Sequence, residues 1–171
     1  MLPARIASVV VSACLIVHSI AYSAEPSGCD KFAWPLTKEQ ELLRQAQPGA
    51  AAGTEIHRDA QQGILLKLAS IAEAKLPVPP ERAPKNVSSF AGFVQFDDAP
   101  KGGTYKVSSS NEAWIDLFQG GRYVKPAAFT GATDCPNIRK SVKFEIGPGP
   151  FTIQLSDVPS DNISIVLTPA D

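Results

Sequence analysis

Apolar and polar residues alternate through most of the C-terminal half of the chain, which is the period of a β-strand buried on one face. The clearest alternation lies in residues 139–146, 151–156 and 162–168. The apolar side chains of each segment share one face, and we expect that face to line a core. Phe144 and Phe151 are the largest side chains predicted to lie there.

Further segments with the composition of strands precede these. They are residues 60–69, 90–96, 104–109, 113–119 and 122–125. Residues 60–69 also fit the start of a helix that runs to Lys75, but Gly63 and its β-branched neighbours favour a strand. Residues 113–119 carry apolar side chains on both alternating faces, which is typical of a central strand covered on both sides, so we expect Trp114 to lie in the core. Gly120-Gly121 follows, and two glycines favour a tight hairpin because both positions can take a positive φ.

Turn-forming residues separate the predicted strands at short intervals. The 171 residues include 15 prolines and 12 glycines, and one turn reads Gly147-Pro148-Gly149-Pro150. Seven or eight short strands divided in this way predict a mainly β fold. We expect an antiparallel, jelly-roll-like β-sandwich with a short N-terminal helical arm.

The first residues have the organisation of a secretory signal peptide. Arg5 precedes an apolar run over residues 6–17, which is shorter than the roughly 20 residues of a membrane span. Small residues at Ala21 and Ser23 then favour cleavage before Ala24. The chain therefore divides into three predicted parts: a signal peptide (1–23), an N-terminal arm with one short helix (24–59) and a β-sandwich domain (60–171).

This division predicts a periplasmic or secreted protein with no membrane span after signal cleavage. The alternative is a lipoprotein. Residues 11–14, Val-Ser-Ala-Cys, fit a bacterial lipobox, which would make Cys14 the lipidated N-terminus. The apolar run continues past Cys14, which favours ordinary cleavage.

The arm contains one predicted helix. Thr37 and Gln40 have the spacing of a capping box, and residues 39–46 are good helix formers. Pro48 and Gly49 end the pattern. We expect about three turns of helix, followed by a linker of small residues as far as Gly53.

Two cysteines, Cys29 and Cys135, remain after signal cleavage. Paired cysteines are the rule in exported domains, so we predict a disulfide between them. The pair would tie the arm to a loop predicted over residues 127–137. A reactive thiol or a metal site has little support, because neither cysteine has a histidine or a second cysteine at ligand spacing.

Residues 76–84, LPVPPERAP, contain four prolines and predict an extended, semi-rigid segment. We interpret it as an ordered crossover between the two sheets. The alternative is a recognition segment for a proline-binding module. If the protein has a binding surface, this segment and residues 127–137 are where we expect it.

Histidine content excludes several enzyme classes. His57 is the only histidine after the signal peptide, so one chain holds neither a hydrolytic triad nor a three-histidine metal site. A cupin-type dioxygenase is disfavoured for the same reason. Asp97, Asp98 and Asp116 offer too few oxygens at a recognised spacing for calcium. We expect no cofactor, no bound metal and no catalytic residue of these kinds.

Three residues stand out as surface candidates. Glu112 and Asp116 are four apart and lie on the same side of a strand. Tyr123 could form a stacking platform for a sugar together with Trp114, although burial of Trp114 is the favoured interpretation. Glu112, Asp116 and Glu145 also supply the carboxylates for the enzymatic alternative, a small enzyme acting on glycans.

The strand-rich half resembles the pre-peptidase C-terminal domains of secreted bacterial proteins, which are jelly-roll-like sandwiches. The resemblance rests on GTYKVSSSNEAWIDLF, KSVKFEIGPGPFTIQLSD and ISIVLTP, between residues 103 and 169. Asp116 matches an aspartate in a central apolar strand, and residues 148–151 match a P-G-x-[YF] turn. The chain also looks like small exported proteobacterial proteins of unknown function. Neither resemblance brings an active site.

These observations favour a binding protein over an enzyme. Net charge is −1, so nothing indicates nucleic acid or an anionic membrane surface as a partner. We predict an exported, non-catalytic β-sandwich protein of uncharacterised role that binds an envelope protein or a glycan.

Overall fold

The computed structural model describes residues 24–56, 61–97 and 101–170. Two mixed β-sheets pack face to face, and one short helix lies near the N-terminus. The predicted mainly β sandwich is therefore confirmed. Export and the signal peptide concern residues 1–23, which lie outside the described residues.

The elements follow one another along the chain in a fixed order. A 3₁₀ turn (Cys29–Lys31) and helix α1 (Thr37–Arg44) come first, followed by β1 (Gln47–Ala51), β2 (Glu55–Ile56), β3 (Ile64–Lys67), β4 (Ala69–Ser70), β5 (Phe90–Phe96), β6 (Gly103–Ser109), β7 (Trp114–Gln119), β8 (Arg122–Val124), β9 (Pro126–Gly131), β10 (Lys140–Ile146), β11 (Phe151–Val158) and β12 (Asn162–Pro169).

Sheet 1 has the order β1-β3-β12-β6-β10-β9, and sheet 2 has the order β2-β5-β11-β7-β8, with β4 also paired to β5. Most neighbours are antiparallel, as predicted. Two pairs are parallel, β1 with β3 and β2 with β5, and there the antiparallel prediction is wrong. In each pair the chain crosses to the other sheet before it forms the second strand: β2 intervenes between β1 and β3, and β3 intervenes between β2 and β5. This crossing lets the second strand run parallel to the first.

The core lies between the sheets and takes the alternating apolar residues of both. Phe144 is completely buried, and Phe151 is buried in the same cluster. Phe151 stacks on Phe96 of the neighbouring strand, with ring centroids 4.7 Å apart. This pairing joins β5 and β11 across the middle of sheet 2.

Tight turns hold the strand ends as the sequence indicated. Gly120 and Gly121 have φ angles of 59° and 79°, which the hairpin between β7 and β8 requires. The side chain of Gln119 donates to the carbonyls of Gly147 and Gly149 and accepts from the Gly147 N–H. It thereby fixes the turn between β10 and β11 to the end of β7.

Helix α1 differs from its prediction. It has eight residues, close to two turns rather than three, because the chain enters β1 at Gln47. The capping box is wrong: Leu36 occupies the N-cap position and makes no side-chain cap bond. Gln40 instead donates to the carbonyl of Pro136, 2.7 Å away, so its side chain joins the helix to the loop after β9.

The helix covers the outer face of sheet 1. Leu36 and Leu43 form a second apolar cluster with Ile138 and Val166. Glu39 lies in the same interface and pairs with Lys106 of β6. Because the helix covers the outer face of β6, this strand is buried on both faces although its sequence alternates between apolar and polar residues.

The predicted disulfide is present. Cys29 and Cys135 are joined, with their Cα atoms 4.8 Å apart. Ser27 forms a parallel bridge with Thr133 next to it. The arm is therefore fastened to the loop between β9 and β10 by a covalent bond and by backbone hydrogen bonds.

Three strands occur where the sequence predicted linker or loop. These are β1 and β2, which belong to the predicted arm, and β9, which lies within the predicted loop. β1 and β9 are sheet edges built from small residues and proline, so they lack the alternation that marks a half-buried strand. The arm thus supplies strands to both sheets.

Candidate functional site

The outer face of sheet 2 carries one row of side chains that crosses five strands. Thr152 of β11 pairs with Gln95 of β5 and with Phe118 of β7. Glu55 of β2 pairs with Gln95, and Tyr123 of β8 pairs with Phe118. Because directly paired residues point to the same face, these five side chains form a continuous strip, which we call the cross-strand row. Four strand spacings give it a length of about 19 Å.

The row changes character along its length. Glu55 and Gln95 are exposed, Thr152 is buried, and Phe118 and Tyr123 are half-buried. The two aromatic rings meet edge to face, with centroids 5.5 Å apart. One end therefore offers carboxylate, amide and hydroxyl groups, and the other offers aromatic surface.

A shallow cavity of about 250 Å³ opens along the row, on the side of the turn between β10 and β11. Its lining includes four members of the row together with Asp97 and Gln119. The cavity places hydrogen-bonding groups and an aromatic edge around one space, which is the usual composition of a small-molecule site.

The proline-rich segment lies across another part of this face. It belongs to the loop between β4 and β5, which are both in sheet 2, so the predicted crossover between sheets is wrong. We call residues 76–86 the proline strap. The Tyr123 hydroxyl donates to the Pro79 carbonyl, and Lys125 pairs with Glu81.

The far end of the proline strap is held by a bulge in β11. Asp157 has φ of 55°, a left-handed conformation that aspartate tolerates better than most residues. The register of β11 against β5 shifts there. Its carboxylate accepts the backbone N–H groups of Lys85 and Asn86 at 2.8 and 3.2 Å. The bulge thus directs a carboxylate at the strap.

Asp116 lies on the outer face of β7 and is only 4% exposed. Its carboxylate accepts the Trp114 Nε1–H at 2.8 Å and the backbone N–H of Glu81 in the proline strap at 3.1 Å. Burial raises the pKa of Asp116, and the Glu81 N–H, the Trp114 indole and the neighbouring Gln154 amide oppose that shift in part. Asp116 therefore anchors the strap rather than facing solvent.

Trp114 is half-buried on the outer face, not in the core where the sequence placed it. The reason is the direction of β7: Ile115 and Leu117 point inward, so Trp114 points outward. Two cations flank its ring, Arg82 at 5.0 Å and Lys140 at 5.6 Å from the centroid. Burial lowers the pKa of Lys140.

We expect Trp114→Ala to lower the free energy of unfolding by about 2 kcal/mol, since the ring loses partial burial and two cation–π contacts. Urea denaturation followed by fluorescence of the remaining tryptophan measures this. Phe144→Ala, a fully buried ring, is the matched comparison and should cost about 3–5 kcal/mol. Equal losses for the two variants would contradict the placement of Trp114 outside the core.

The structure does not bring the candidate carboxylates together. Glu112 lies at the rim of the sandwich and pairs with Arg139 at 2.9 Å. Glu145 lies on the outer face of sheet 1 and accepts the Thr104 hydroxyl at 2.6 Å. Asp116 is on the outer face of sheet 2. These three residues therefore form no acid and base pair across a common cleft.

Metal-ligating side chains do not cluster in the part of the chain that the structure describes. No group of three or more histidine, cysteine, aspartate or glutamate residues is arranged there to hold a metal ion. His57 and Asp98 lie outside the described residues. Between residues 24 and 170, apart from 57–60 and 98–100, no helix is long and apolar enough to cross a membrane.

Comparisons with protein-family models, with curated proteins and with solved structures found no match. Of the three surface candidates, Tyr123 lies in the cross-strand row, Asp116 lies beneath the proline strap, and Glu112 is remote from both.

Proposed function

We propose that this chain is an exported, non-catalytic β-sandwich protein that binds a glycan of the cell envelope along the cross-strand row. The observation that carries the proposal is the register: five residues from five strands place two aromatic rings, a hydroxyl, an amide and a carboxylate on one line. A line of this length suits an oligosaccharide better than a single sugar.

The chemistry of the row suits a sugar chain. Aromatic rings such as those of Phe118 and Tyr123 can pack against the apolar C–H faces of sugars. The Tyr123 ring also carries a polar hydroxyl group. Gln95, Thr152 and Glu55 supply donors and acceptors for hydroxyl groups. Orientation by a few polar groups beside an apolar surface is the general design of such sites.

Export is supported by two observations. Residues 1–23 have the pattern of a signal peptide, and the Cys29–Cys135 disulfide fits an oxidising compartment. We propose a periplasmic or secreted protein, with lipidation at Cys14 as the minor alternative. The resemblance to pre-peptidase C-terminal domains points to the same compartment.

An envelope protein is the second candidate ligand, and one observation favours it. Phe129 is 73% exposed on β9, which is an edge strand of sheet 1. Edge strands can accept an extended strand of a partner, and an exposed aromatic residue can anchor it. This surface is separate from the cross-strand row, so the two candidates can be distinguished.

We expect Phe118→Ala to weaken oligosaccharide binding about tenfold or more, because it removes one of the two aromatic rings of the row. Isothermal titration against cellohexaose, chitohexaose and soluble peptidoglycan glycan strands measures the affinity. Tyr123→Phe keeps its ring and should retain most of the affinity. Glu145→Gln, on the other sheet, is the control for indirect effects.

Unchanged affinity in Phe118→Ala, with circular dichroism showing a folded protein, would remove the row from the binding site. Loss of affinity in Phe129→Ala instead would move the site to β9.

A further inference from the structure

Two buried polar side chains on the outer face of sheet 2 are poorly paired within the part of the chain that the structure describes. Gln154 is completely buried, and Ser156 is 1% exposed. Within the described residues, neither amide atom of Gln154 nor the Ser156 hydroxyl makes a hydrogen bond of normal geometry. The Gln154 amide has one polar neighbour, the Asp116 carboxylate, whose pKa it helps to lower. Buried polar groups are nearly always paired, because an unpaired group loses its hydration without compensation. These two residues therefore indicate a surface that is built for contacts it lacks when the strap is down.

The unpaired residues belong to the same face as the cross-strand row. Gln154 pairs in register with Asp116, and Ser156 pairs with Trp114. Gln154 is two residues from Thr152 along β11, a displacement of about 7 Å on the same side of the sheet. Asp116, Gln154 and Ser156 thus form a polar floor that continues the row under the strap.

Side-chain contacts rather than strand pairing hold the proline strap, because residues 76–86 belong to no strand. None of its residues, 76–86, is buried. It is closed at its base, where the Ile71 N–H donates to the Ser89 carbonyl at 2.9 Å, and it contains four prolines that donate no backbone hydrogen bond. Its anchors are five residues of sheet 2 and its edges: Tyr123, Asp116, the exposed Lys125, Asp157, and Trp114, on whose ring Arg82 lies. Such a loop can lift without disturbing the core.

We propose that the proline strap lifts and that the polar floor of Asp116, Gln154 and Ser156 is a second part of the glycan site, an inference that rests on the proposed function. Sugar hydroxyls both donate and accept. They can pair with both atoms of the Gln154 amide, donate to the Asp116 carboxylate and bond the Ser156 hydroxyl. The strap satisfies only Asp116 among the three, through the Glu81 N–H.

Limited trypsin digestion reports whether the strap lifts. Arg82 and Lys85 lie within it, and a protease needs a segment free of the surface. When cleavage is slow relative to closing, the rate of the cut after Arg82 follows the population of the lifted form. Mass spectrometry of the fragments isolates this cut from others. We expect soluble peptidoglycan glycan strands, cellohexaose or chitohexaose to speed it, because a bound sugar holds the strap open.

The variant Gln154→Met separates a binding floor from a structural residue. An apolar floor suits the closed strap, so the cut after Arg82 should slow about fivefold, and oligosaccharide affinity should fall about tenfold. Gln47→Met, an exposed residue of β1, is the matched control and should change neither. A Gln154→Met protein that is cut faster would show that Gln154 supports the closed strap, which overturns the proposal.

Different results would contradict the polar floor and the cross-strand row. Suppose that Phe118→Ala loses binding, that oligosaccharide does not change the rate of the cut after Arg82, and that Gln154→Met binds with wild-type affinity. This combination would contradict the polar floor and support the cross-strand row. Asp157→Gly releases one anchor of the strap and keeps the positive φ of the bulge. Binding to Asp157→Gly that exceeds wild-type binding supports the floor, and binding equal to that of wild type contradicts it. Binding to neither wild type nor Asp157→Gly overturns both proposals.

Discussion

Replacement of Glu39 by alanine is expected to lower the free energy of unfolding by about 3–5 kcal/mol. Glu39 is 1% exposed between α1 and sheet 1, and Lys106 is 6% exposed. Their charged atoms lie 2.8 Å apart, and the Thr168 hydroxyl donates to the same carboxylate oxygen at 2.5 Å. Removal of the carboxylate leaves the Lys106 ammonium buried without its counter-ion, which is the costly case for a buried pair.

The control variant replaces both charges. Glu39→Leu with Lys106→Met keeps the approximate volume and removes both desolvation costs, so it should recover most of the lost stability. Chemical denaturation of the single and double variants measures the difference. A single variant within about 1 kcal/mol of wild type would show that the pair is solvated and that α1 is not packed as described.

The same pair predicts a pH dependence. Burial alone would raise the pKa of Glu39, but hydrogen bonds from Lys106 and Thr168 lower it below its ordinary value. Because the folded pKa is depressed, the stabilisation is present above the ordinary glutamate pKa and is lost as pH falls through the folded value. Stability should therefore fall less steeply with acid in Glu39→Gln than in wild type. Asp116 has a raised pKa and acts in the opposite direction.

Removal of the disulfide is the second large effect. Cys29→Ser with Cys135→Ser opens a loop with a sequence separation of 106 residues, and the chain-entropy estimate for such a loop is up to about 4–5 kcal/mol. The actual loss should be smaller, because the Ser27–Thr133 bridge and the Gln40 contact with Pro136 still hold the arm.

Thermal unfolding with and without reductant measures this loss in the wild-type protein, and the double serine variant should match the reduced form. Equal melting temperatures for oxidised and reduced protein would contradict the role of the disulfide in holding the arm.

Local patterns were enough to predict most strands. β10, β11 and β12 alternate because one face of each meets the core, and Gly120-Gly121 specifies its own hairpin. β9 was missed because Pro126–Gly131 is an edge strand of mostly small, exposed residues. In such a strand, pairing with a neighbour rather than burial determines the conformation.

Local sequence patterns do not predict contacts between segments that are distant in the chain. Lys106 occupies a polar position in an alternating strand, which predicts a solvent-facing residue, yet α1 covers it. The cross-strand row also depends on contacts between segments that are distant in the sequence. Each of its residues is unremarkable alone, and only the register of β2, β5, β11, β7 and β8 aligns them. The apolar residues on both sides of β7 predict a core position for Trp114, whereas in the structure the proline strap covers the outer side of that strand.

The most direct test of the central claim is a map of where an oligosaccharide binds. Amide chemical shifts of the full mature chain would be followed by NMR during titration with soluble peptidoglycan glycan strands, cellohexaose and chitohexaose. The row predicts that the largest shifts fall on Gln95, Thr152, Phe118 and Tyr123. Shifts centred on Phe129 and β9, or no shifts with any of the three probes, would contradict it.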